Sequence, residues 1–104
     1  MDRLLSLLGI AQKAGKVVSG GFLCEKSIKA KQARLVILAE DAQKNTVSTI
    51  SNKCTFYNIP FGFYGSKETL GRAIGKEERS CVAVTDQGLA DSINKLLSSG
   101  KKEE

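Results

Sequence analysis

Apolar positions along the chain alternate between two periods. Leu4, Leu7, Leu8 and Ala11 fall at i, i+3, i+4 and i+7, the spacing of one helical face, with Asp2 placed to cap the helix and Gly15 to stop it. Val17-Val18 then predicts a short strand, and Ser19-Gly20-Gly21 turns the chain into a second helix. In that helix Cys24 and Ile28 share one side while Glu25 and Lys29 form an i,i+4 pair on the other. The unbroken apolar run Leu35 to Ala39 fits a central strand covered on both faces. A third helix follows, with Asn45 or Asp41 near its start, and with Val47, Ile50, Cys54 and Tyr57 at helical spacing. Pro60 biases Ile59 away from helix and ends it.

Phe61 to Tyr64 reads as a strand, and Ser66 caps a fourth helix whose Leu70, Ala73 and Ile74 face inward. Gly75 to Arg79 is a charged loop, and Ser80 to Thr85 a second buried strand. Asp86 caps a last helix that aligns Leu89, Ile93, Leu96 and Leu97. Strands alternating with helices predict a layered α/β fold with helices on both faces of a small sheet. No repeat or linker divides the chain, so residues 1–98 are expected to form one domain and 99–104 a flexible C-terminal tail.

Composition narrows the setting. At 104 residues, 41% hydrophobic and 26% charged, the chain has the make-up of a soluble globular domain. No apolar run approaches the roughly 18 residues of a membrane span. Leu4 to Leu8 is too short for a signal peptide and is followed by Gln12, Lys13 and Lys16. Sixteen Lys and Arg against eleven Asp and Glu leave a net charge of +5 and a pI near 9.2, which favours a polyanionic partner. Cys24, Cys54 and Cys81 are odd in number and far apart, which fits buried thiols in a reducing cytoplasm.

Catalytic templates fail one after another. With no histidine, the usual zinc spacings and His-based catalysis have no ligand or base. Gly71 to Gly75-Lys76 lacks the phosphate-loop spacing, and Glu77 stands where Ser or Thr is needed. Glu40-Asp41 and Glu77-Glu78 are neighbours in sequence and read as cap and loop charges. No enzyme, metal site or cofactor is expected. What does carry chemistry is the Gly20-Gly21 turn: a glycine turn opening a helix leaves backbone N–H groups that suit a phosphate.

Three segments in register resemble a known family. They are the Gly-Gly turn into a Lys-bearing helix, the run Ala33 to Asp41, and Ile59-Pro60 leading to Ser66 through Lys76. In order and spacing the chain resembles the kink-turn RNA-binding ribosomal protein family of archaeal and eukaryotic large subunits, and within it the small bacterial branch called YlxQ-like. The likeness runs from about Leu4 to Leu97. It implies a three-layer α/β/α sandwich with a small mixed four-stranded sheet, and binding to a sharply bent RNA internal loop.

The family's Gly-x-Asn-Glu-x-x-Lys motif falls on Gly20 through Lys26, with the lysine at Lys26. Phe22 and Leu23 occupy the Asn and Glu positions that read guanine edges, and neither offers a placed donor or acceptor. Phe22 either stacks on an unpaired base or packs inward as a hydrophobic contact at the helix start. The resemblance also points to Lys67 after the fourth helix cap. In the loop before the last strand, where the family presents apolar residues, Lys76 and Arg79 are the candidate phosphate contacts beside Glu77 and Glu78.

The expected RNA-binding set is therefore Gly20, Gly21, Phe22, Leu23, Lys26, Lys67, Lys76 and Arg79. The leading reading is a monomeric, cytoplasmic, ribosome-associated protein that binds structured RNA, ribosomal RNA first, holding its backbone by a helix N-terminus and lysines. Two alternatives stand beside it. One is a protein-interaction module on the same fold that has lost kink-turn reading. The other is a small anion- or nucleotide-binding module resting on Gly20-Gly21.

Overall fold

A computed structural model describes residues 2–103, with side chains for residues 2–98. The tail expected at 99–104 falls in part within the last helix, whose backbone is described to residue 103, while the side chains of 99–104 and the whole of residue 104 lie outside the description. The order of elements is α1 (Arg3–Lys13), β1 (Val17–Ser19), α2 (Gly21–Lys29), β2 (Leu35–Leu38), α3 (Lys44–Phe56), β3 (Phe61–Phe63), α4 (Lys67–Ala73), β4 (Cys81–Val84) and α5 (Gln87–Glu103).

The strands form one sheet in the order β1-β4-β2-β3. β4 is antiparallel to both β1 and β2, and β3 is parallel to β2, so the sheet is mixed. The two central strands are buried at every position, as continuous apolar runs require. Side chains of β2 and β4 alternate between two cores. Leu35, Ile37, Val82 and Val84 meet Leu4 and Leu8 of α1, Leu70 of α4 and Ile93 of α5. Val36, Leu38, Cys81 and Ala83 meet Cys24 and Ile28 of α2 and Ile50 and Cys54 of α3. Three layers result, with α1, α4 and α5 on one face and α2 and α3 on the other. The three-layer sandwich with a mixed four-stranded sheet is the expected one.

Local signals place most element ends. Asp2 accepts a hydrogen bond from the Leu5 N–H at 3.0 Å, and Asp86 one from the Leu89 N–H at 2.9 Å. Gly15 ends α1 in left-handed backbone at φ 73°. Ser66 and Thr69 close a reciprocal capping box on α4. The start of α3 differs from expectation. Gln43 is its N-cap and caps with no side chain. Asp41 instead accepts from the Lys67 N–H at 2.8 Å, so its carboxylate serves α4. Glycine decides one packing contact in the sheet. Gly62 faces the α1/α4/α5 side, where an added Cβ would sit 3.3 Å from Leu97 Cδ1.

Candidate nucleic-acid interface

The C-terminal ends of β1, β2 and β3 and the start of β4 lie at one end of the sheet, and the turns leaving them build one corner. Gly20, at φ 89° and ψ 154°, holds a backbone shape that L side chains rarely adopt. Its N–H donates to Cys81 O at 3.0 Å, and its carbonyl takes the first helical bond of α2 from Cys24 N at 2.9 Å. No side chain caps α2. The N–H groups of Gly21, Phe22 and Leu23 therefore stand in the first turn with no intrahelical acceptor, at the positive end of the helix dipole.

Direct bonds tie the other segments to this turn. The Arg79 N–H donates to Lys67 O at 3.0 Å. Arg79 Nε donates to Ser19 Oγ at 3.1 Å, and an Nη of the same guanidinium donates to Glu78 O at 2.9 Å. Arg79 is thus a clamp joining the β1–α2 turn, the α4 start and the charged loop, which fixes it in place and leaves less of it for a ligand. Gly71 seats the same loop on α4. A Cβ there would fall 1.8 Å from Glu77 O, so only glycine lets the loop close down.

The structure thus brings Gly20, Gly21, Lys67 and Arg79 together. Phe22 and Lys26 share a shallow hollow with Glu25 and Lys29 on the open side of α2. Phe22 is 78% exposed, so it points to solvent and does not pack inward. Leu23 is 46% exposed beside it. Lys76 lies apart. Its N–H donates to Gly71 O at 2.8 Å, and it borders a hollow shared with Glu68, Arg72, Glu77 and Glu78. The N-terminus of α4 is already engaged by Ser66 and Asp41, so at that end of the helix the Lys67 side chain is the cation left to meet a phosphate, beside Glu68.

Some participants escaped sequence reasoning. Ser19 and Asp41 hold the corner through partners 60 and 26 residues away, and no local signal marks such pairs. The one readable trace is Gly71, a glycine inside a helix, which ordinarily has a packing reason.

Comparisons with known proteins bear on the chain as a whole. A model of the ribosomal protein L7Ae/L30e/S12e/Gadd45 family matches residues 2–94. The chain belongs to this family. The ribosomal-protein family resemblance drawn from the three segments is thereby upheld over nearly the whole chain. Among relatives of the L7Ae/L30e family, RNA-binding protein YlxQ of Bacillus subtilis (strain 168) is 50% identical over 91 residues, spanning 88% of this chain and 91% of that one. Large ribosomal subunit protein eL8 of Cenarchaeum symbiosum (strain A) is 32% identical over 94 residues, spanning 89% and 75%.

These relatives carry names of RNA-binding and ribosomal proteins rather than of enzymes, in line with the expectation of no catalysis. A solved structure of a protein with unknown function from Bacillus halodurans C superposes with a TM-score of 0.91 at 37% identity, covering 94% of this chain and 99% of that one. The Giardia lamblia 15.5kD RNA binding protein shares the fold at a TM-score of 0.77 and 23% identity, over 92% and 85%.

Proposed function

We propose that the chain is a non-catalytic, ribosome-associated protein that binds structured RNA, ribosomal RNA first, in the cytoplasm and as a monomer. The observation that carries this reading is the exposed Phe22 standing on the uncapped N-terminus of α2, with Lys26 one turn further on. The N–H groups of Gly21 to Leu23 take a phosphate, and Lys26 and Lys67 take its neighbours. The ring of Phe22 stacks on a base turned out of an internal loop. With Phe22 and Leu23 at the base-reading positions, recognition of a kink-turn or other bent loop depends on backbone shape and stacking rather than on guanine edges. Among the described residues no helix is long and apolar enough to cross a membrane.

Binding measured by anisotropy on labelled ribosomal RNA fragments tests it. Affinity is expected to fall steeply with salt, and Lys26→Ala to flatten the log–log slope by about one unit. Absence of binding to every such fragment at about 50 mM salt overturns the proposal.

A further inference from the structure

All four phenylalanines of the chain are at least 37% exposed, and the two cores are aliphatic and thiol. Phe22 belongs to the corner described above. Phe56, 77% exposed, does not. It ends a stripe on the outer face of α3 in which Thr49, Asn52, Lys53 and Phe56 recur at i, i+3, i+4 and i+7 and line one hollow of about 470 Å³. Tyr57 meets Phe56 edge to face, with ring centroids 4.9 Å apart and planes at 80°.

Tyr57 also walls a second hollow, of about 280 Å³, reached from Lys31 and Arg34. The two hollows therefore share a tyrosine and form one track. No carboxylate lines either of them, and no Asp or Glu occurs anywhere from residue 42 to 67. The two ion pairs of the described residues, Lys29–Glu25 and Arg72–Glu68, leave Lys31, Arg34 and Lys53 unengaged. Lys31 and Asn58, the two non-glycine residues with left-handed backbone among those described, both line the second hollow, at φ 61° and 59°.

This track is at the other end of the sheet from the Gly20 corner. Arg34 leads into β2, with its N–H on Val84 O, whereas the Ala39 N–H beyond β2 bonds Ser80 O at the opposite end. An exposed phenylalanine with a half-buried tyrosine at its edge, interleaved with cations in a surface free of carboxylates, has the chemistry of single-strand binding: any base stacks, and the backbone follows the positive charge. A protein-binding patch would instead be depleted of lysine at its centre.

We propose that this track is a second RNA contact, for an unpaired strand, with bases on Phe56 and Tyr57 and phosphates on Lys53, Arg34 and Lys31. It rests on the reading of the chain as an RNA-binding protein and adds a second, separate surface to it. The molecule then holds two RNA segments at opposite ends of one sheet.

The test is a titration of the ¹⁵N-labelled full chain with a short oligouridine, followed by amide shifts. Shifts are expected over Thr49 to Tyr57 and at Arg34, and Phe56→Ala is expected to weaken them about tenfold, the loss of one stacked base. Because Phe56 is exposed, its replacement leaves the fold intact, which unchanged shifts in β2 and β4 verify. The corner is read in parallel with a structured ribosomal RNA fragment, whose shifts at Gly20 to Lys26 are lost in Phe22→Ala and kept in Phe56→Ala. Oligouridine that leaves α3 unshifted, or that binds Phe56→Ala as well as the parent, overturns the second contact, whatever the corner does. Shifts of α3 produced by ribosomal proteins but not by oligouridine overturn it equally.

Discussion

Asp2 serves two partners. One carboxylate oxygen caps α1 through Leu5, and the other accepts a hydrogen bond from Tyr64 Oη at the far end of β3. Partial burial pulls this carboxyl upward, but the bonds from Tyr64, Leu5 and Leu4 outweigh it and hold the group below its ordinary 3.8. Tyr64 is pushed up to about 12 by the same bond, by burial, and by the charges of Asp2 and Glu40. The signs follow. A depressed carboxyl contributes stability above pH 3.8 that is lost as pH falls below it. A raised phenol contributes stability below pH 10.0 that is lost as pH rises towards 12. In urea titrations across pH, Tyr64→Phe is therefore expected to flatten the decline between pH 10 and 12, and Asp2→Ala to cost about 1 kcal/mol at neutral pH. Gly71→Ala should cost more, about 2–3 kcal/mol, because the Glu77 carbonyl must move; a midpoint equal to the parent's would show the loop is not seated as described. Asp2 was readable as the cap of α1, but its bond to Tyr64, 62 residues away, was not. Arg79 was visible only as a cation, since its bond to Ser19 joins residues 60 apart, and Phe22 had two equal readings until its exposure was known.

At the scale of elements, periodicity and caps carried most of the information. Leu4, Leu8 and Ala11 are buried as their spacing requires, as are Cys24 with Ile28 and Ile93 with Leu97. The start of α3 misled because two acidic and amide residues stood near it, and tertiary structure spent Asp41 on α4. The start of α2 is the element whose form matters most, since its first turn is left open by the absence of a cap. Nothing lies within 4 Å of a Cβ built on Gly20, so Gly20→Ala tests backbone shape alone. It is expected to cost about 1–3 kcal/mol in denaturant midpoint and to weaken structured-RNA binding as the turn re-aims. Unchanged binding with lowered stability would detach the turn from recognition.

For the molecule as a whole, burial of two fully apolar strands announced a sheet covered on both sides, yet their runs alone could not give strand direction or the order β1-β4-β2-β3. Direction depends on pairings between residues such as Leu38 and Cys81, far apart in the chain. The three cysteines were expected as buried thiols, and all three sit in the core under α2 and α3. Cys54 is pushed up to about 12 by burial, and Cys24 is also raised, by its hydrogen bond with Cys81 and by burial. The folded chain is expected to resist a thiol reagent at pH 8, labelling only at its rate of opening and quickly in urea. A thiol that reacts within seconds in buffer would contradict that burial.

The chain has no tryptophan and two tyrosines, and β3 separates them. Tyr57 borders the track below the strand, and Tyr64 follows the strand at the corner end. The protein thus carries one intrinsic fluorophore at each end of its sheet. In Tyr64→Phe all tyrosine emission comes from Tyr57, and in Tyr57→Phe all of it comes from Tyr64. The two variants make the occupancy of either end visible by light alone, with no label attached.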